Sequence, residues 1–193
     1  SHEKVEVVPN RVISLKEITG DKDAIGESAR SLVVEFESAL ANKTEPVRIH
    51  ASVRIEVRED DAETLWFLEL SNNDERYRIV EILFPCFRGV YLGESWQDDI
   101  MIYPHHAGEK TLAPVREYVS ERYLGFWRAG TKRGEDGVFF REINYCGLAS
   151  MNWMYYCDDE NGLYISSYDR DFTVTGLRVE TGGPDSPWMG WAM

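Results

Sequence analysis

From Val47 to Arg58 the chain alternates without a slip. Val47, Ile49, Ala51, Val53, Ile55 and Val57 fall on one side, and Arg48, His50, Ser52, Arg54, Glu56 and Arg58 on the other. A period of two sustained this long predicts a long antiparallel strand with one wet face. Glu59-Asp60-Asp61-Ala62 reads as a polar turn, Leu65 to Leu70 as a second strand and Ser71-Asn72-Asn73-Asp74-Glu75 as a second turn. Tyr77 to Phe84 reads as a third strand, ended by Pro85. Upstream, Ser31 to Leu40 predicts a further strand and Arg11 to Ile18 another with a less regular pattern.

The pattern changes between Arg88 and Gly137. That stretch is irregular and rich in Gly, Pro, Tyr, Trp and Asp, with one short apolar run, Ile100-Met101-Ile102-Tyr103. Loops of this length inside a domain are usually functional or pack against something else. Pro114 to Arg122 predicts a short helix, with Pro114 in its first turn. Strands resume at Val138 to Ile143, Asn152 to Tyr156, Leu163 to Ser167 and Phe172 to Glu180. The aromatic stretch Asn144 to Asp169 reads as one hairpin, with Asp158-Asp159-Glu160-Asn161-Gly162 as its turn and Asn-Gly supplying positive φ.

No helical period survives over four turns, and no repeat or heptad is present. Many short strands with turns between them predict an all-β fold, an antiparallel two-sheet β-sandwich with a long irregular middle segment. At 193 residues, 43% hydrophobic and 12% aromatic, the prior is a single domain over 1–193. The expected helical content is under about a fifth.

A formal net charge of −13 with no basic run argues against a nucleic-acid or anionic-membrane partner, since both are held by basic patches. No apolar run approaches the ~18 residues of a membrane span. Cys86, Cys146 and Cys157 are odd in number and lack C-x-x-C spacing, so they predict buried reduced thiols and a reducing, cytoplasmic setting. The start, Ser1-His2-Glu3-Lys4-Val5-Glu6, has neither the basic nor the apolar stretch of a signal peptide, yet leaves secretion open.

No Gly-x-Ser-x-Gly elbow, P-loop, dinucleotide fingerprint or His-Glu-x-x-His occurs, so no catalytic residue, metal ligand or cofactor is assigned. His105-His106 with Asp98 and Asp99 upstream is the one cluster resembling an acid/base or metal site. Adjacent histidines on an extended chain point to opposite sides, so at most one would join a given aspartate. Trp96, Tyr103, Trp127, Tyr145, Trp153, Tyr155 and Tyr156 gather in and after the irregular middle. In a strand, Trp153 and Tyr155 share one face and Met154 and Tyr156 the other, so one pair fills the core.

Four pieces together resemble a known family. They are Ile82-Leu83-Phe84-Pro85 with Gly89, Asp98-Asp99-Ile100-Met101-Ile102-Tyr103-Pro104 with Gly108, Tyr145 through Ala149-Ser150-Met151-Asn152-Trp153-Met154-Tyr155-Tyr156, and Gly162-Leu163-Tyr164-Ile165-Ser166-Ser167-Tyr168-Asp169. In this order, over about half the chain, they are similar to the N-terminal β-supersandwich domains, galactose-mutarotase-like, of large bacterial putative glycoside hydrolases. The loop Tyr91 to Trp96 falls outside the resemblance. The resemblance implies that a (β/α)8 barrel carrying the catalytic carboxylates follows in the same polypeptide, and the apolar ending Pro187 to Met193 fits that expectation.

Three roles follow as expectations: a non-catalytic accessory sandwich supporting a glycosidase barrel, a free-standing carbohydrate-binding module, and a mutarotase- or epimerase-like sugar enzyme using His105 or His106 with an acid. Aromatic faces stack on the apolar side of a pyranose while carboxylates accept its hydroxyls. That chemistry makes Trp96, Asp98, Asp99, His105 and Trp153 the candidate carbohydrate-binding residues. Packing of a long loop against the sandwich is the plain alternative for each.

Overall fold

The structure is a computed structural model, and it describes every residue except 1–4, 23–27, 42–43, 59–60, 126–128 and 169–173. The turn expected at Glu59-Asp60, the ring of Trp127 and the beginning of the strand expected from Phe172 lie outside the described residues. Among the described residues strands hold 52% and helices 5%, and the strands given below pair antiparallel throughout. The all-β reading holds. The chain divides into two compact units, 1–82 and 83–193.

The first unit is one sheet. Strands β1 (Val7–Lys22) and β2 (Ser28–Ala41) form a long hairpin, followed by β3 (Glu45–Val47), β4 (Ile49–Val57) and β5 (Thr64–Asn72), in the order β1-β2-β4-β5 with β3 beside β2. The alternation from Val47 to Arg58 becomes β3 and β4. Val47, Ile49 and Ala51 are buried as expected, packed with Val5, Val7, Leu70 and Tyr77 around the first two. The parity then reverses in outcome: Val57 is 42% exposed while Glu56, on the other face, is 2% exposed. Arg54 explains this, because it ion-pairs with Glu56 and lies over the Phe67 ring, covering the polar face.

Residues 77–84, expected as a strand, form none. β5 is followed by a turn closed on Asp74, and the chain beyond it joins no ladder. That carboxylate takes two bonds from the Arg76 guanidinium, at 2.8 and 2.7 Å, one from the Arg76 amide and one from the Arg48 amide.

The second unit is the two-sheet sandwich. One sheet runs β6 (Cys86–Val90), β14 (Met189–Ala192), β13 (Gly176–Thr181), β10 (Phe139–Asn144), β9 (Lys132–Arg133). The other runs β12 (Gly162–Ser166), β11 (Trp153–Cys157), β7 (Ile100–Tyr103), β8 (Glu109–Leu112). Helices α1 (Pro114–Glu117) and α2 (Glu121–Leu124) stand where a helix was expected, broken into two short turns. Met101, Tyr103, Met154 and Tyr156 meet Leu177, Val179, Met189 and Trp191 in one core, which Val115, Tyr118 and Tyr123 extend. The Tyr103 hydroxyl donates to the Leu177 carbonyl at 2.7 Å, and the Tyr156 and Trp191 rings lie 5.8 Å apart. Met154 and Tyr156 are therefore the core pair of β11.

The apolar ending Met189-Gly190-Trp191-Ala192 is the buried strand between β6 and β13, so its apolar character has a local cause. The cysteine expectation is corrected: all three are free thiols, but Cys86 and Cys146 are exposed, the first on an outer strand and the second in a turn at φ 64.

Candidate functional site

A cavity of about 230 Å³ opens between the loop after β6 and the start of β7. Its walls include Tyr91, Trp96 and Trp188; Glu94 and Asp99 bring the acidic groups, with Val115 and Tyr156 beside them. At roughly 30 Å³ per liquid water, the space holds several waters or one sugar ring. It lies below the roughly 300–1,000 Å³ of drug-sized pockets.

Local sequence explains the loop. Gly93 sits at φ 58, a left-handed conformation that favours glycine, and a Cβ there would stand 2.7 Å from the Asp158 Oδ2. The Asp158 turn thus braces the loop. This turn works differently from expectation: neither Asn161 nor Gly162 has positive φ, and the Asp158 carboxylate accepts the amides of Glu160 and Asn161 instead. Gly162 is required for closeness, since a Cβ would meet the Tyr155 hydroxyl at 2.2 Å. Across the loop, Ser95 donates to the Gln97 side chain at 2.7 Å.

Asp99 is the centre of the cleft. It is 1% exposed, and the Tyr156 hydroxyl donates to its Oδ2 while its Oδ1 has no partner. Burial raises its pKa above the usual carboxylate value, and the charges of Asp98 and Asp158 push the same way against the Tyr156 bond. The same burial and the Asp99 carboxylate raise the Tyr156 phenol. Asp158 moves oppositely, lowered by the turn amides it accepts. A buried acceptor left open is an unmet demand for a donor.

A second polar cluster fills the other end of the sandwich. Arg141, 1% exposed, donates to Glu109 at 2.6 and 3.2 Å and to the Ala129 carbonyl at 3.0 Å. Its guanidinium lies 5.0, 4.9 and 4.6 Å from the rings of Tyr103, Tyr118 and Tyr123. Glu109 also accepts from Thr111 and Tyr123, and His105 Nδ1 stands 3.5 Å away. Burial opposes the Glu109 charge, but Arg141 and these donors hold its pKa below the ordinary value. Burial and His106 lower the pKa of His105 against the pull of Glu109. With its carboxylate fully engaged, this cluster is a strut between the sheets, beside a cavity of about 130 Å³.

The structure brings Trp96 and Asp99 together in one cleft, with Asp98 exposed next to them. His105 belongs to the Glu109 cluster, six residues further on, on the order of 20 Å at strand rise. The expectation that the two histidines diverge is overturned: His106 adopts φ 52, and the rings approach to 4.2 Å. Trp153 lies on the face of β11 away from Tyr156, half-buried against Tyr164 at 5.7 Å. Sequence reasoning missed Trp188, Tyr91 and Glu94. The only signal for the last two was their place in a loop too long to be idle.

Among the described residues no three His, Cys, Asp or Glu side chains converge to hold a metal ion, and no helix is long and apolar enough to cross a membrane. The chain matches no protein-family model, no curated protein and no solved structure.

Proposed function

We propose that this chain is a non-catalytic accessory β-sandwich of a carbohydrate-active protein, contacting sugar in the Trp96–Asp99 cleft. The carrying observation is a cavity bounded by Tyr91, Trp96 and Trp188 whose lining residues include Asp99, a buried carboxylate with one oxygen, Oδ1, unpartnered. Aromatic faces suit the C–H side of a pyranose, and an open carboxylate oxygen suits one of its hydroxyls. The ring pair of half-buried Trp153 and exposed Tyr164 offers a further aromatic surface on the β11–β12 hairpin. Under the family resemblance, the catalytic carboxylates belong to a barrel elsewhere in the same polypeptide, and this sandwich supports it and shapes the entrance.

The enzyme reading draws less support. His105 faces a glutamate already committed to Arg141, so the histidine–acid pair that this reading needs is engaged. Titrating the chain with mono- and oligosaccharides, followed by tryptophan fluorescence and amide NMR, tests the proposal. Millimolar sugar is expected to shift the Trp96 and Trp188 indoles, with Trp96→Ala weakening binding in a folded protein. No shift near Trp96, or binding unchanged in folded Trp96→Ala, overturns it.

A further inference from the structure

We propose that the cleft is built for a sugar carrying a free ammonium group, an amino sugar, rather than for a neutral one. The proposal rests on the carbohydrate reading and deepens it. Asp99 lines the cleft with one carboxylate oxygen unpartnered at 1% exposure, and Glu94 lines it as well. Asp158 stands against Gly93 in the same loop, and Asp98 precedes Asp99 in sequence. No lysine or arginine is among the lining residues. Two carboxylates, Glu94 and Asp99, therefore line one small cavity with no lysine or arginine in its walls, and the charges of Asp98 and Asp158 act on Asp99 from nearby.

A neutral hydroxyl satisfies the open oxygen as a donor but leaves the mutual repulsion of the carboxylates in place. An ammonium does both: it donates to Asp99 and offsets the charges of Glu94, Asp98 and Asp158, making a charge-assisted bond of about twice the neutral strength. The aromatic walls add to the selection, because the faces of Trp96, Trp188 and Tyr91 attract a cation through their ring quadrupoles. A metal ion is the competing cation. It is disfavoured by geometry, since no three of the described acidic or thiol or imidazole groups converge on one point.

The test uses the whole chain at physiological salt, with glucosamine, glucose and N-acetylglucosamine, the β-1,4-linked tetramers of the two amino-sugar forms, and spermidine. Readouts are calorimetric affinity and the NMR shifts of the Trp96 and Trp188 indoles. Glucosamine and its tetramer are expected to bind at least tenfold more tightly than the acetylated forms and glucose. Asp99→Asn should abolish that preference, and Glu94→Gln, an exposed change that spares the core, should reduce it. Glu121→Gln, an exposed acid on α2, should leave it unchanged; an equal loss there would mean that the net charge of −13 attracts any cation, and would overturn the site. Equal binding of charged and acetylated sugars overturns the ammonium assignment while the carbohydrate reading stands. Binding of spermidine alone overturns the amino-sugar assignment and the carbohydrate reading with it. Silence from every probe overturns both.

Discussion

Replacing Asp99 by asparagine keeps an acceptor for the Tyr156 hydroxyl and removes the charge that burial resists. Because burial raises the folded-state pKa of Asp99, the folded protein holds that proton more firmly than the unfolded chain. The associated stability is present below the ordinary carboxylate value and is lost as pH rises through the raised one. Asp99→Asn should therefore gain on the parent protein between pH 4 and pH 7, ending about 1 kcal/mol more stable, the scale of one buried unsatisfied group. Denaturant unfolding at the two pH values checks this, and a gain that shrinks with rising pH contradicts it. A binding site that costs stability behaves in this way. Arg141 makes the opposite case. Arg141→Met leaves the Glu109 carboxylate without its cation among three tyrosine rings, and should cost about 3–5 kcal/mol. Adding Glu109→Gln should recover part of the loss, which a double-mutant cycle measures.

At the level of elements, β4 shows how far a pattern can be trusted. Val47→Asp, at 1% exposure, should cost several kcal/mol and accelerate amide exchange along β3 and β4, whereas Leu15→Ser, at 66% exposure, should stay within about 0.5 kcal/mol. The alternation told that this stretch is extended, because a period of two has that one geometric meaning, but not that its wet face would be covered at Glu56. It could not tell that Arg54 would cover Glu56, since that depends on Phe67 across the ladder. Residues 77–84 carry strand composition without a partner, and composition does not supply one. Met189–Ala192 went unread for the opposite reason: a strand buried on both faces has no alternation to see. Of the site, Trp96 and Asp99 were legible as an aromatic and an acid near each other in sequence. Trp188 was not, because only the placement of β14 beside β6 returns it to that loop.

For the whole molecule, the β-rich architecture predicts a far-ultraviolet circular dichroism spectrum without a dominant helical signature. The accessory role predicts no measurable hydrolysis of aryl glycosides by this chain. Turnover that Asp98→Asn or Asp99→Asn abolishes would replace the accessory role with a catalytic one. The strandless stretch after β5 has a practical consequence of its own. Val80, Ile82 and Leu83 are 72%, 49% and 47% exposed, and Arg78 lies just before them at the boundary of the two compact units. A protease requires backbone that can be drawn out into its active site without first dismantling a sheet. Brief trypsin digestion followed by mass spectrometry should therefore find Arg78 cut before any other described arginine or lysine, so that purified material left unprotected accumulates as two fragments meeting at that bond.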